Sequence, residues 1–486
     1  MESLSFAFVF PMASGHINPS LAIARSLVRD GHEVHYLCRE QMRDAIEDTG
    51  ALFHSDIEEQ PELYEGRDPG MYAALGSLME EHGLQASLTE GRLILRELAV
   101  ELMLPGTMRW LKRVKADVVL FCPLINLEAP LAAKLLDIPC ASLLTTAGPG
   151  SLPPTWTNIM ASVGTTPSEV LAKRRQFKPL LQCLARLQAK GLDLRVEDLL
   201  EPVGLLRTSL NSAVTLVTTA EFLADPMTKD LQEAYGDHRF VYLGPLLDQP
   251  GAKRCAGHKF SHEHEQIPNS DLEAIRLAEE AKAAGRPVVL LSLGTIVTGD
   301  HPDYGWNARP VDGEKRGLSG KELCQAAWQG AFDACAACRV LPLILVALGP
   351  QPDALEDLQL PSNAFCSPTL PRVDLLRLGI DSFLTHGGQN SFMEALSVGT
   401  PMVVCPGFGD QFINAAKAEA LGIGRKVDRI SDRETYRSKV CFAMSQVMNG
   451  SFKAKAESCA VNVGGVSLAT KVLLSLKAPR WNMAGA

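Results

Sequence analysis

Short apolar runs alternate with helix-like stretches along this chain, and that alternation limits the fold more than any other feature. Phe6 to Phe10 reads as a strand, Ser20 to Arg29 has helical spacing, Gly31 interrupts it, and Glu33 to Cys38 is a second strand. A helix between two strands makes a βαβ unit, and βαβ units imply a parallel sheet. Further strands are expected at Val118 to Phe121, Ala141 to Leu144, Ala213 to Thr218 and Phe240 to Leu243, with a helix over Glu128 to Leu136. After a stretch holding Pro245, Pro250, Gly251, Gly257 and Pro268 among charged residues, the rhythm restarts. Val288 to Leu293, Leu341 to Ala347, Asp381 to Leu384 and Met402 to Cys405 read as strands, with helices over Lys321 to Cys338, Ser391 to Ser397 and Phe412 to Leu421. The expectation is α/β, with two doubly wound Rossmann-like domains. They divide as residues 1–246, a connection over 247–270, a second domain over 271–465, and a helix and tail over 466–486.

The chain has 486 residues, 46% hydrophobic and 21% charged, which suits two globular cores. A net charge of −9 argues against nucleic acid as a partner. The longest apolar stretches, such as Val340 to Leu348, are strand-sized, so no transmembrane segment is expected. Met1-Glu2-Ser3 leads directly into a strand without the pattern of a signal peptide, and a cytoplasmic location is expected. The twelve cysteines are scattered, many within apolar runs, as buried free thiols would be. Cys335 and Cys338 form a Cys-x-x-Cys pair in a helical stretch with no second pair at metal-ligand spacing, so a structural role is expected. His258, His262 and His264 fall in the connection and read as linker residues.

One segment names a chemistry. His386, Gly387, Gly388, Gln389, Asn390, Ser391, Phe392, Met393 and Glu394 follow a strand and open a helix, with Gly399 to Pro401 and then Asp410 and Gln411 beyond. Unpaired N–H groups and the positive helix end favour an anion, and a glycine lets backbone approach it closely. Asn390 and Ser391 add donors. Glu394 shares a helix face with Asn390 and can accept hydrogen bonds from ribose hydroxyls. This segment resembles the donor-site signature of the family 1 UDP-glycosyltransferases. The resemblance implies the GT-B fold, with the two domains facing across a cleft, and it implies that the C-terminal helix packs back on the first domain. By the same resemblance His386, Gly388, Asn390 and Ser391 bind the diphosphate, Glu394 the ribose, and Asp410 and Gln411 the sugar hydroxyls. The Ser292-Leu293-Gly294-Thr295 turn also resembles a donor loop of the family, which brings Gly294 and Thr295 to the phosphates.

Near the N-terminus, Pro11 to Pro19 reads as a loop after the first strand, containing Gly15, His16, Asn18 and Pro19. A histidine titrates near neutrality and can take the proton that an acceptor hydroxyl loses as the new C–O bond forms. Taken alone the loop would equally be a helix start capped by Ser14 or Asn18. The Gly-His-x-Asn-Pro pattern resembles the family's, whose catalytic base matches His16. The implied reaction is inverting transfer of a hexose, glucose by resemblance at Gln411, from a UDP-sugar to a hydroxyl of a small lipophilic acceptor, with no metal or other cofactor. Its acceptor pocket is expected in loops over Tyr64 to Leu104 and Ser151 to Leu205.

The chain departs from the family pattern in two places. Relatives carry an aspartate after the third of these strands to orient the base, where Cys122 and Pro123 stand here, so Glu128 or another acid substitutes or His16 works unaided. Relatives also carry a tryptophan that stacks on uracil, where this chain has Thr369, Leu370, Pro371 and Arg372, and Arg372 could stack or hydrogen-bond instead. The loop Gly299 to Gly320, with Tyr304 and Trp306, either folds over the donor or is a surface insertion. Two rival classes stand beside the leading one. The first is a nucleotide-sugar-binding protein that has lost turnover. The second is an NAD-dependent oxidoreductase, disfavoured because Gly15 alone follows the first strand, without a Gly-x-Gly-x-x-Gly turn.

Overall fold

The computed structural model describes residues 3–69, 73–199, 211–255, 270–312, 315–460 and 464–477. The chain divides into two compact units. One comprises Met1–Leu152, Pro167–Cys255 and Val463–Ala486, the other Pro153–Thr166 and Ala256–Asn462. Residues 153–166 thus group with the second unit although they lie within the first half of the sequence.

The first unit is built on a seven-stranded parallel sheet of order β3-β2-β1-β4-β5-β6-β7. Its strands are β1 (Ser5–Val9), β2 (Glu33–Cys38), β3 (Leu52–Ser55), β4 (Val118–Phe121), β5 (Cys140–Leu144), β6 (Val214–Val217) and β7 (Phe240–Tyr242). Successive side chains of a strand point to opposite faces. Phe6 and Phe8 accordingly enter the core on one face, and Ala7 and Val9 the core on the other. Helices cover both faces, which is why β1 and β4 read as continuous apolar runs. The helix Gly465–Ser475 places Ala469, Val472 and Leu473 in the first of these cores with Leu21 and Ala24 of the helix Ser14–Arg29. At its start Gly465 lies so close to the chain after β7 that a Cβ there would meet the Leu243 carbonyl at 2.6 Å.

The second unit carries β8 (Val288–Ser292), a two-stranded ribbon of β9 (Val311–Asp312) and β10 (Lys315–Arg316), and β11 (Leu343–Ala347), β12 (Ala364–Ser367), β13 (Ser382–Thr385), β14 (Met402–Val404) and β15 (Gly424–Lys426). The main sheet is parallel, with order β12-β11-β8-β13-β14-β15. On one face the helix Gly320–Ala336 packs against Arg433–Asn449, with Trp328, Phe332, Tyr436 and Val440 between them. A Ser319–Glu322 capping box starts the first of these helices.

Several expectations need correcting. The helix after β1 begins at Ser14 rather than Ser20, so His16 and Pro19 lie inside it, and Ala13 occupies the cap position without a side-chain hydrogen bond. Neither Ser14 nor Asn18 caps it. Asn18 instead pairs with the Cys255 backbone, donating to its carbonyl at 3.0 Å and accepting from its N–H at 2.9 Å. The segments expected as acceptor loops are largely helical, containing Ala73–Glu81, Leu88–Arg113, Leu152–Ser162, Pro167–Gln176 and Lys178–Ala189. Within the loop from Gly299, Trp306 is buried against Trp328 and donates to Asp353 at 2.9 Å, while Tyr304 stacks on Phe408 at 4.9 Å. These aromatics therefore brace the second unit's interior, and the segment is no plain surface insertion. His258, His262 and His264 lie outside the described residues. All twelve cysteines are free thiols, and no metal-holding cluster occurs among the described residues.

Candidate active site

In a doubly wound sheet, adjacent strands whose connections run in opposite directions leave a crevice at their carboxyl ends. That reversal falls between β1 and β4 in the first unit and between β8 and β13 in the second. Both histidines singled out by sequence follow those strands.

In the second sheet Ser292 pairs with Thr385, so the turns leaving β8 and β13 emerge side by side. Gly294 has φ +81°, and a Cβ there would meet the His386 ring at 2.6 Å. On the other side a Cβ on Gly388 would also lie 2.6 Å from His386 Nε2. The imidazole is thus held between two glycine backbones. Gly387, at φ +83°, makes the turn, donating to Thr385 Oγ1 at 3.2 Å and accepting from Asn414 Nδ2 at 2.8 Å. The helix Gln389–Ser397 follows, with Gly388 as its cap, and the N–H groups of such a first turn have no acceptor inside the helix. His386 Nδ1 is buried without a hydrogen-bond partner. Burial and the Arg372 guanidinium push this imidazole down to about 4, against smaller opposing effects of the Ser292 carbonyl and Glu394. It is neutral at pH 7.

Around this corner the other expected residues are arranged as follows. Glu394 is buried and accepts a hydrogen bond from Arg372 Nε at 2.8 Å, so the residues expected at the ribose and at the base are bound to each other. Gln411 is buried, and its Oε1 accepts the N–H groups of Gly407 at 2.8 Å and Phe408 at 3.2 Å. Asp410 lies at the start of the helix Gln411–Ala420. Burial pushes its carboxyl up to about 6, while the N–H groups of Asp410 itself and of Gln389 pull it down. Asn390 and Ser391 occupy the first turn of the helix Gln389–Ser397, and Thr295 follows Gly294. The fold brings this expected set together around one strand junction. Sequence reasoning missed Gln389, which is buried with both ends of its carboxamide unpartnered. Its place inside the His386 to Glu394 run was the available signal.

In the first sheet, β1, β4 and β5 are adjacent, with Val9 opposite Phe121 and Phe121 opposite Ser142. The residues that follow their carboxyl ends therefore meet. His16 Nδ1 lies 3.3 Å from Cys122 Sγ and 3.3 Å from Thr145 Oγ1. Burial, reinforced by the Arg92 guanidinium, pushes His16 down to about 4. The Cys122 thiol is pushed up to about 12 by burial, so it is protonated at neutral pH. Glu128, one of the acids expected to orient His16, instead accepts from Asn126 Nδ2 at 2.9 Å, and burial raises it to about 7. Thr145 is also an addition, since no motif marks it and strand order alone places it.

Each unit thus has a crevice at the carboxyl ends of its strands, one beside a helix start and one holding an imidazole that burial keeps neutral. The fold is that of GT-B glycosyltransferases: the glycosyltransferase of kitacinnamycin superposes with a TM-score of 0.62 at 21% identity, covering 98% of this chain and 100% of that one. Residues 349–458 match the UDP-glucoronosyl and UDP-glucosyl transferase family. NDP-glycosyltransferase YjiC of Bacillus subtilis is 24% identical over 429 residues, covering 87% of this chain and 84% of the relative. Its namesake in Bacillus licheniformis is 26% identical over 448 residues, covering 89% and 87%. The chain is a glycosyltransferase, and its residues 349–458 resemble the UDP-glucoronosyl and UDP-glucosyl transferases. No helix among the described residues is long and apolar enough to cross a membrane.

Proposed function

We propose that this chain is an inverting cytoplasmic enzyme that moves a hexose, glucose by the resemblance at Gln411, from UDP to a hydroxyl of a small lipophilic acceptor. The observation that carries the donor half is the His386 ring held between Gly294 and Gly388 beside the first turn of Gln389–Ser397. A diphosphate there meets helix N–H groups and the His386 imidazole. The Arg372–Glu394 pair sets the carboxylate for the ribose, and Gln411 offers its NH2 to the sugar. The same groups serve the leaving diphosphate, so the scheme asks nothing of a metal ion. His16 is the base: with Nδ1 against Thr145 and Cys122, Nε2 is the nitrogen left to take the acceptor proton.

A panel of nucleotide sugars against phenols and terpenoids, read by mass spectrometry, tests donor and acceptor class together. His16→Ala should lower turnover by ~10² to 10⁴ while UDP binding by titration calorimetry is unchanged. Turnover equal to wild type in that variant would remove His16 from the mechanism.

A further inference from the structure

Transfer breaks the acceptor O–H bond and sends its proton to His16 Nε2. The oxygen's electron pair forms the bond to the anomeric carbon, and the carbon–phosphate-oxygen bond breaks with its pair leaving on the diphosphate. For Nε2 to begin with a lone pair, the neutral ring must carry its proton on Nδ1 and donate it to a neighbour. Cys122 Sγ and Thr145 Oγ1 both lie 3.3 Å away. They are not equivalent. Sulfur is a weak acceptor, and the backbone N–H groups of Leu124 and Ile125 are already directed at this one. The thiol keeps its own proton, and an S–H donated to Nδ1 would put the ring proton on Nε2 and block the base. A threonine oxygen has two lone pairs and is the better acceptor.

We propose that Thr145 is the positioning residue of His16: its Oγ1 accepts the Nδ1–H and holds the Nε2 lone pair ready for the acceptor hydroxyl, a task Cys122 does not perform. This rests on His16 being the base. The groups facing the pair are Arg92 from the helix Leu88–Arg113, Cys122 after β4 and Thr145 itself after β5, and the carboxyl of Glu128 acts on Cys122. Among the described residues no carboxylate acts on the ring to stabilise its charged form, and its orientation depends on a hydroxyl. Thr145 is buried, and valine matches its shape while removing the acceptor.

The test measures kcat, KM and the pH profile of kcat with UDP-glucose and a phenol acceptor for four variants: Thr145→Val, Thr145→Ser, Cys122→Asp, and Cys122→Asp combined with Thr145→Val. Thr145→Val is expected to lower kcat by about 10- to 100-fold at unchanged KM for UDP-glucose, and Thr145→Ser to restore it to within about threefold. A carboxylate can only accept, so Cys122→Asp is expected to move the acid limb of the kcat profile to higher pH and to rescue kcat in the double variant. Thermal unfolding shows whether each variant is folded, and the double variant decides the matter if Thr145→Val alone is destabilised. A kcat for Thr145→Val within about twofold of wild type, or a loss that neither serine nor the added carboxylate restores, overturns the proposal. If His16→Ala is inactive while Thr145→Val is unaffected, this inference alone fails. If His16→Ala turns over normally, the base assignment fails with it.

Discussion

Gly294 shows how one missing side chain can hold a site. Its φ of +81° costs an L-residue strain, and a methyl there would also strike the His386 ring at 2.6 Å. Gly388 makes the same close approach without the positive φ, so its requirement is contact alone. Gly294→Ala is expected to cost about 1–3 kcal/mol of stability and to weaken UDP binding, because the ring can relieve the clash only by leaving its place. Denaturant unfolding and titration calorimetry measure the two effects, and a variant with wild-type stability and affinity would show that the ring moves freely. Much of this corner was legible as residue types: His386, the glycines, Glu394 and Gln411. The Arg372–Glu394 bond was not, because Arg372 lies 22 positions before Glu394 and β13 with the turns on either side of it stands between them. His16 and Thr145, 129 positions apart, are the more extreme case.

At the scale of elements, the strands most legible from sequence include those buried on both faces, such as β4, where every position is apolar, and β8, apolar up to Ser292. β3, β12 and β15 were missed. Each is an edge strand, and their sequences, Leu-Phe-His-Ser, Ala-Phe-Cys-Ser and Gly-Arg-Lys, carry no apolar alternation. The helix Leu88–Arg113 was missed for another reason, since Pro105 and Gly106 lie inside it. Gly106 packs directly against the Glu59 backbone, so tertiary contact outweighs propensity there. Pro19 likewise obscured the start of Ser14–Arg29. The helix Gly465–Ser475 supplies Ala469, Val472 and Leu473 to the core of the first unit. Deleting residues 464–477 should therefore destabilise that unit by roughly 3 kcal/mol or more, from the exposed side chains of both partners. Chemical unfolding of the truncated chain measures it, and an unchanged midpoint would mean the helix adds no core.

The molecule as a whole carries a charge of −9, and one buried carboxylate within it, Glu97, ties stability to pH in a definite direction. Glu97 accepts from Arg174 at 3.0 Å and from Arg96 at 2.7 Å, all three within the first unit. Burial alone would raise it, but the two guanidinium groups win and hold its carboxyl at about 2. Its folded value lies below the unfolded one of ~4.3. The stabilisation is thus fully present above that value and is lost as pH falls toward about 2. Glu97→Gln should lower stability at pH 7 by about 3–5 kcal/mol and flatten the dependence between those limits, because two buried cations lose their partner. Thermal unfolding across pH 2 to 7 tests this, and parallel curves for wild type and variant would contradict it.

The amino-acid order by itself determined the βαβ rhythm, the buried parallel strands and the strand–turn–helix at His386 to Glu394, because each rests on neighbours within a few positions. Only the tertiary structure decided which groups attend the two histidines. Strand order sets Thr145 and Cys122 beside His16 and puts Gly294 against His386, and strand order is a product of long-range packing that no local spacing encodes.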